Sequence, residues 1–224
     1  PVVEDAAHAF PARAIPSDTE DSIIGKPAGG FGIAGVFSLY ASKTITAGEG
    51  GMVITDSKEI ADAVSRLRLH GIDRTTWERY EKNKLDQEDG GKGRPWDYDV
   101  AAPGYKYNMA DLNAAIGLEQ LKKADAFWQR RRDIARYYRE HLGDLDFLNL
   151  PEFREDHSWH MFVLQVVSEV LKVGRNEFAD FLLRRGVETA VHYKPLHIMS
   201  YYRKTCGYKP EDFPESFKAF QTSL

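Results

Sequence analysis

The sequence has little of what marks a secreted, nucleic-acid-binding or membrane-spanning protein. One cysteine, Cys206, among 224 residues excludes an internal disulfide and fits a reducing compartment, so we expect a cytoplasmic protein. The 30 basic and 34 acidic residues are interspersed and the formal net charge is -4, so no basic stripe indicates nucleic-acid binding. The longest uncharged run, 27–42, contains several glycines and is too short for a membrane span.

What is present predicts strands that alternate with helices, which is typical of an α/β layer fold. A strand ending in Glu4 and Asp5 is followed by predicted strands at 33–40 and 51–55. A helix is predicted from Lys58 to about His70, because Asp56-Ser57 can cap its start and Gly71 can end it. The segments 11–32 and 73–104 are predicted loops, and the length of the second is typical of a functional or mobile segment.

The second half of the chain has a different pattern. Apolar residues between 109 and 142 drift away from a single helical face, which predicts a bent or broken helix. Beyond Gly143 we predict a strand at 160–167, a helix at 176–185 and a strand at 187–193. The chain is therefore expected to divide near 143 into a larger α/β region, residues 1–143, and a small α+β region, residues 144–224.

Lys43 is the first charged residue after the uncharged run, and it follows a predicted buried strand. A lysine at the mouth of an α/β sheet can bind phosphate, act as a general base or form a Schiff base with a carbonyl. A pyridoxal 5'-phosphate (PLP) site would also need a carboxylate for the pyridine nitrogen, hydroxyls for the phosphate and a flat group against the ring. Asp5, Ser38 and His8 are candidates for these roles, although spacing alone leaves all three uses of the lysine open.

The same residues lie in motifs that resemble those of the DegT/DnrJ/EryC1/StrS family of PLP-dependent nucleotide-sugar aminotransferases, which have the type I fold of PLP enzymes. The resemblance runs in family order through nearly the whole chain. Its motifs are Val3-Glu-Asp-Ala-Ala-His-Ala9, Gly35-Val-Phe-Ser-Leu-Tyr-Ala-Ser-Lys43, Gly48-Glu-Gly-Gly-Met-Val-Ile-Thr55, Leu67-Arg-Leu-His-Gly71, the stretch 104–117, His157-Ser-Trp-His160 and His192-Tyr-Lys-Pro-Leu-His197.

The resemblance implies a role for each candidate residue. Lys43 would form the Schiff base with PLP and carry the proton, Asp5 would pair with the pyridinium nitrogen, and His8 would pack on the ring. Ser38 would bind the phosphate. Asn108 would reach the phosphate of the neighbouring subunit's cofactor, which implies a homodimer with shared active sites.

The resemblance also implies the reaction. An amino acid, usually glutamate in the family, would supply an amino group that passes to a nucleotide-linked keto sugar. The stretch from Trp96 to Asn108 is most like that of enzymes acting at the 4-keto position. Two alternatives stay open, a non-catalytic sensor or scaffold relative and a PLP-dependent sugar dehydratase. Relatives that dehydrate sugars carry histidine in place of the lysine, so Lys43 favours amino transfer.

The resemblance further indicates that the chain is truncated at both ends. Residues 1–143 would be the C-terminal portion of a large mixed α/β PLP-binding domain with a connecting helix, and residues 144–224 an incomplete small α+β domain. Family members carry an N-terminal region before the Val-Glu-Asp motif, which helps to bind the phosphate and the substrate. The Gly48-Glu-Gly-Gly51 stretch would form a tight turn beside the cofactor, or a plain hairpin turn.

The remaining histidines do not have the spacing of a metal site. The pairs His157/His160 and His192/His197 lack a helical i, i+4 spacing with a carboxylate partner, so no metal is expected. In the family, the motif from His192 to His197 lines the sugar-nucleotide side. His192, Tyr193 and His197 are therefore substrate candidates, with a buried histidine bonded to backbone as the alternative.

Overall fold

The protein is described by a computed structural model that covers residues 1–14, 24–73 and 98–224. Its chain forms two compact units of mixed α/β structure, residues 1–128 with 156–160 and residues 129–155 with 161–224. These units are defined within this chain, whereas the predicted boundary near 143 refers to the domains of the whole protein. That boundary stays a prediction. Of the two predicted long loops, residues 15–23 and 74–97, which include Trp96, lie outside the described residues.

The described residues form five strands and seven α-helices. The strands are β1 (Val3–Asp5), β2 (Ala34–Ser38), β3 (Gly51–Ile54), β4 (Leu148–Asn149) and β5 (Gln165–Val166). The helices are α1 (Lys58–Leu67), α2 (Asp111–Leu121), α3 (Ala124–Leu142), α4 (Ser168–Leu171), α5 (Arg175–Leu183), α6 (Ser200–Cys206) and α7 (Pro214–Thr222), with 3₁₀ turns at Leu196–Ile198 and Pro210–Asp212.

The sheet of the first unit has the order β1-β2-β3. β1 runs parallel to β2, with Asp5 opposite Val36, and β2 runs antiparallel to β3, with Ser38 opposite Gly51. The three strands predicted for this region are confirmed. Because β1 and β2 are parallel, their carboxyl ends lie at one edge of the sheet, which is where α/β proteins place their ligands.

The side chain of Glu4 fastens the loop before β2 onto the sheet. Its carboxylate accepts hydrogen bonds from the backbone N–H groups of Gly29 (2.7 Å), Phe31 (2.6 Å) and Gly32 (2.7 Å). Burial raises the pKa of Glu4, but the three N–H donors lower it by more, so the pKa lies below its ordinary value. The charged form of Glu4 therefore stabilises the folded chain.

We expect Glu4→Gln to destabilise the protein by about 1–3 kcal/mol at neutral pH, because hydrogen bonds to a charged acceptor are lost. The folded-state pKa lies below the unfolded one. The stabilisation is therefore fully present above the unfolded value, near 4.5, and is lost as the pH falls through the lowered folded value. Urea midpoints between pH 7 and pH 3 measure this. Glu119→Gln, on the exposed surface of α2, is the control, and a difference for Glu4→Gln that does not shrink in acid would contradict the prediction.

Helix α1 ends against the segment that leads to Asn108. Of the predicted pair Asp56-Ser57, Ser57 caps α1, with its hydroxyl accepting the N–H of Ile60 at 3.4 Å, and the helix ends at Leu67 rather than near His70. Beyond the helix, His70 N–H donates to the Tyr105 carbonyl at 2.7 Å. Gly71 has a φ of +71°, and a Cβ there would overlap the Ala102 carbonyl oxygen, so no other residue fits. Two motifs far apart in sequence thus lie side by side.

The predicted long helix is broken, as its drifting apolar pattern indicated. α2 ends at Leu121 and α3 begins at Ala124. Among the residues that the structure describes, none of the helices is both long enough and apolar enough to cross a membrane.

The second unit contains a short antiparallel pair, β4 with β5, and the helices α4 to α7. The backbone of Leu164 exchanges hydrogen bonds with Leu224, and Val166 is buried. The predicted strand at 160–167 is wrong except for Gln165–Val166, and the predicted strand at 187–193 is wrong. A strand needs a partner as well as an apolar pattern, and no described residue pairs with 187–193.

Candidate active site

A cavity of about 620 Å³ opens in the first unit, beside the carboxyl ends of β1 and β2. Its volume lies within the usual range for small-molecule sites. Three of the predicted cofactor residues, His8, Ser38 and Lys43, line it. Most of the remaining wall is apolar and includes Phe37 and Met109. The structure therefore gathers three predicted residues around one space large enough for a cofactor.

Asp5 and Ser38 lie on the same face of the sheet. Asp5 pairs in register with Val36, and Ser38 follows Val36 two residues later. Because side chains alternate along a strand, Asp5, Val36 and Ser38 lie on one face of the sheet. Asp5 Oδ1 accepts the Ala7 N–H at 3.1 Å, and Ser38 Oγ accepts the Tyr40 N–H at 3.3 Å. The hydroxyl proton of Ser38 is left to donate to an anion. Asp5 itself is exposed and does not line the cavity.

Lys43 is carried by a closely bonded loop between β2 and β3. Its backbone N–H donates to the Tyr40 carbonyl at 3.0 Å, and the Leu39 carbonyl accepts the Ala47 N–H at 2.9 Å. Within residues 1–14, 24–73 and 98–224, no carboxylate forms a salt bridge with the Lys43 ammonium. The half-buried side chain is thus held by its loop, beside the cavity.

A side chain of helix α2 also bonds to this loop. Asn113 Nδ2 donates to the Ala47 carbonyl at 2.6 Å, and Ala47 is completely buried. In the Gly48-Glu-Gly-Gly turn, Gly50 has a φ of +146°, and a Cβ there would lie 2.6 Å from Met109 Cε. At this turn the backbone of Gly50 therefore lies close to the side chain of Met109. Sequence reasoning did not select Asn113, although it lies in a motif that resembles the family.

The backbone of His8 is fastened by a distant segment. The His8 carbonyl accepts a hydrogen bond from Ser158 Oγ at 2.9 Å, and Ser158 is buried. Ser158 belongs to the predicted motif His157-Ser-Trp-His160, whose Trp159 is buried as expected for a core residue. His160, considered above only as a metal ligand, also lines the cavity.

Asn108 lies in the first unit but outside the cavity wall. It is half-buried, and its Oδ1 accepts a short hydrogen bond from Lys106 Nζ. Its predicted role at a neighbouring subunit's cofactor stays a prediction.

The three substrate candidates belong to the second unit. His192 and Tyr193 are exposed, with their rings edge to face at 4.5 Å, and His192 lines a separate cavity of about 500 Å³ within that unit. His197 is 6% exposed and packs against Phe213 at 4.9 Å. His197 is buried, so His192 and Tyr193 are the more accessible candidates, and the substrate roles of all three stay predictions.

Comparisons with known proteins assign the chain to a family. The profile of the DegT/DnrJ/EryC1/StrS aminotransferase family matches residues 1–224, and the chain belongs to this family. It is 42% identical to the uncharacterized protein MJ1066 of Methanocaldococcus jannaschii and 39% identical to SpsC of Bacillus subtilis, a spore coat polysaccharide biosynthesis protein. Each match covers the whole of this chain and 53% of the relative, so the chain spans about half the length of these proteins.

A solved structure agrees with this assignment. Spr1654 of Streptococcus pneumoniae, whose description is that of a sugar aminotransferase, has been solved in PLP and PMP forms. The chain matches it with a TM-score of 0.78 and 26% identity, over 99% of this chain and 50% of that one. The expected family and the mixed α/β fold of PLP-dependent sugar aminotransferases are thereby confirmed.

Proposed function

We propose that the chain is the cofactor-holding region of a PLP-dependent aminotransferase that passes an amino group from glutamate to a nucleotide-linked 4-keto sugar. One observation carries the proposal. The carboxyl ends of two parallel strands bring His8, Ser38 and Lys43 to one cavity, with Asp5 on the same sheet face as Ser38. Family membership and the PLP and PMP forms of Spr1654 support it.

The residues present fit the chemical groups of PLP. Ser38 has a hydroxyl proton free to donate to a phosphate, since its oxygen already accepts the Tyr40 N–H. His8 offers a flat ring at the cavity wall, and Asp5 offers a carboxylate at the end of β1. Lys43 offers the amine that a carbonyl requires. The mainly apolar wall of the cavity limits water around His8, Ser38 and Lys43 and strengthens their interactions.

Each side chain then has a defined task. PLP, when bound, withdraws electrons from the carbon that is losing or gaining its proton. Asp5 would pair with the ring nitrogen, and His8 would pack on the ring. Ser38 would hold the phosphate. Lys43 would offer the amine that holds the cofactor by its carbonyl group, and it would be the base that takes the proton from the α-carbon of the amino donor.

The substrate and the assembly belong to the same proposal. His192 and Tyr193 are exposed, as contacts to a sugar nucleotide must be, and the relative SpsC acts in polysaccharide biosynthesis. A homodimer in the cytoplasm, with Asn108 reaching the partner's cofactor, completes it. The presence of Lys43 supports amino transfer over dehydration.

The test is the visible absorption spectrum of the full-length protein with PLP, before and after glutamate is added. We expect a band of covalently bound PLP that glutamate converts into the band of the amine form. Addition of nucleotide-linked 4-keto and 3-keto sugars should then restore the first band, with the 4-keto sugar faster. Aspartate and glutamine serve as donor controls.

The possible outcomes separate the elements of the proposal. A folded full-length protein that gives no PLP band would contradict the aminotransferase function and favour a non-catalytic relative. A band that glutamate leaves unchanged while another amino acid converts it would change the donor alone. Faster restoration by the 3-keto sugar would overturn the 4-keto assignment.

A further inference from the structure

A short segment, residues 156–160, belongs to the first unit although the chain before and after it belongs to the second. Its attachment is made by specific bonds. The Asp156 carbonyl accepts the Arg13 N–H at 3.0 Å, and Ser158 Oγ donates to the His8 carbonyl at 2.9 Å. The segment therefore holds both ends of the stretch from His8 to Arg13.

The segment makes further contacts next to the residue that bonds His8. Trp159 is 5% exposed, and Trp128 Nε1 donates to the His157 carbonyl at 2.8 Å. The N–H of Trp159 donates to Nδ1 of His157 at 3.0 Å. These contacts fix the backbone from which the side chain of His160 projects.

The ring of His160 packs edge to face against the ring of His8. The centroids are 4.6 Å apart and the planes meet at 62°. Both rings line the cavity that Lys43 also lines. An edge-to-face pair favours one orientation over others, so the neighbouring ring restricts how His8 can turn about its side-chain bonds.

We propose that His160 is a positioning residue of the cofactor site, which holds the His8 imidazole in the orientation needed to pack on the pyridine ring. The inference rests on the proposed function, since it assumes that His8 contacts PLP. His160 acts through His8, and its ring is the feature that matters. A ring of similar size should therefore replace it, and an aliphatic side chain should not.

The experiment compares His160→Phe, which keeps a ring, with His160→Leu, which fills much of the space without one. We expect His160→Leu to raise the dissociation constant of PLP by about two- to tenfold, which corresponds to one aromatic pair contact. His160→Phe should stay within about twofold of wild type. The control is His141→Ala, an exposed histidine of α3 in the second unit, which should leave PLP binding unchanged.

A second readout needs no cofactor. In the NMR spectrum of the protein without PLP, the imidazole signals of His8 should shift in His160→Leu and stay in place in His141→Ala. The melting temperature of each variant shows whether the fold is kept. If His160→Leu failed to fold, the PLP affinity of a folded His160→Phe would decide. An affinity as low as that of a His8→Ala variant would overturn the role of the ring.

Two results would overturn the proposal with the fold intact. Equal PLP binding by wild type and His160→Leu would remove any positioning role. Equal weakening by His160→Leu and His160→Phe would show that the polar atoms of His160 matter rather than its ring. A full-length wild-type protein that binds no PLP would instead overturn the proposed function itself, and this assignment with it.

Discussion

Replacing Lys43 by alanine is expected to lower the rate of amino transfer by about a thousandfold or more, roughly 4 kcal/mol of transition-state stabilisation. The variant loses both the amine that binds the cofactor carbonyl and the base that takes the donor's proton. The formation of amino sugar from glutamate and a nucleotide-linked keto sugar measures the rate. Borohydride treatment followed by mass spectrometry should show PLP attached to Lys43 in wild type and to no lysine in the variant.

The matched control is Lys58→Ala, which removes an ammonium that is 86% exposed and pairs only with Asp62 at 2.5 Å among the described residues. We expect this change to leave the rate within about twofold, because exposed ion pairs contribute little. A Lys43→Ala enzyme that kept a tenth or more of the wild-type rate would contradict the role of Lys43, since about tenfold is only 1.4 kcal/mol.

Asp5→Asn is expected to lower kcat by about a hundredfold, because the variant loses the charged partner that would keep the ring nitrogen of PLP protonated. Asparagine keeps the shape of the side chain and can still accept the Ala7 N–H that Asp5 Oδ1 accepts at 3.1 Å. The loss should therefore fall on kcat, with the KM for the sugar nucleotide much less affected. Steady-state kinetics with both substrates varied would separate the two effects.

Two further variants make this result specific. Asp5→Glu keeps the charge but moves it by one methylene, so we expect some of the rate to return. Asp62→Asn, in the exposed pair with Lys58, is the control and should have little effect on rate. An Asp5→Asn enzyme within about threefold of wild type would remove the carboxylate from the mechanism.

The sequence predicted local features of the fold better than distant ones. Helix α1 was found because Ser57 is a signal next to the helix itself, although the helix ends at Leu67, before Gly71, and the break between α2 and α3 was found from the drift of apolar positions. The predicted strands at 160–167 and 187–193 failed because strand formation depends on a partner elsewhere in the chain. A run of apolar residues indicates burial but does not supply that partner.

The candidate site divides in the same way. His8, Ser38 and Lys43 were selected because they lie at or beyond the ends of strands within motifs that resemble those of the family. Glu4, Asn113 and His160 were not given their roles, because each acts on a residue far away in sequence. Glu4 binds Gly29, Phe31 and Gly32, Asn113 binds a carbonyl 66 positions away, and His160 meets His8. Such contacts follow from the fold and cannot be read from spacing.

The return of residues 156–160 to the first unit affects how relatives could exchange segments by recombination. A single junction near 143 would join the first unit of one protein to a foreign Ser158 and Trp159, although Trp159 is 5% exposed and Ser158 3%. Those two positions would then have to fit a loop with which they did not evolve. Chimeras that keep the segment with its own unit need extra junctions on either side of it. We therefore expect recombined relatives to inherit residues 156–160 together with the first unit.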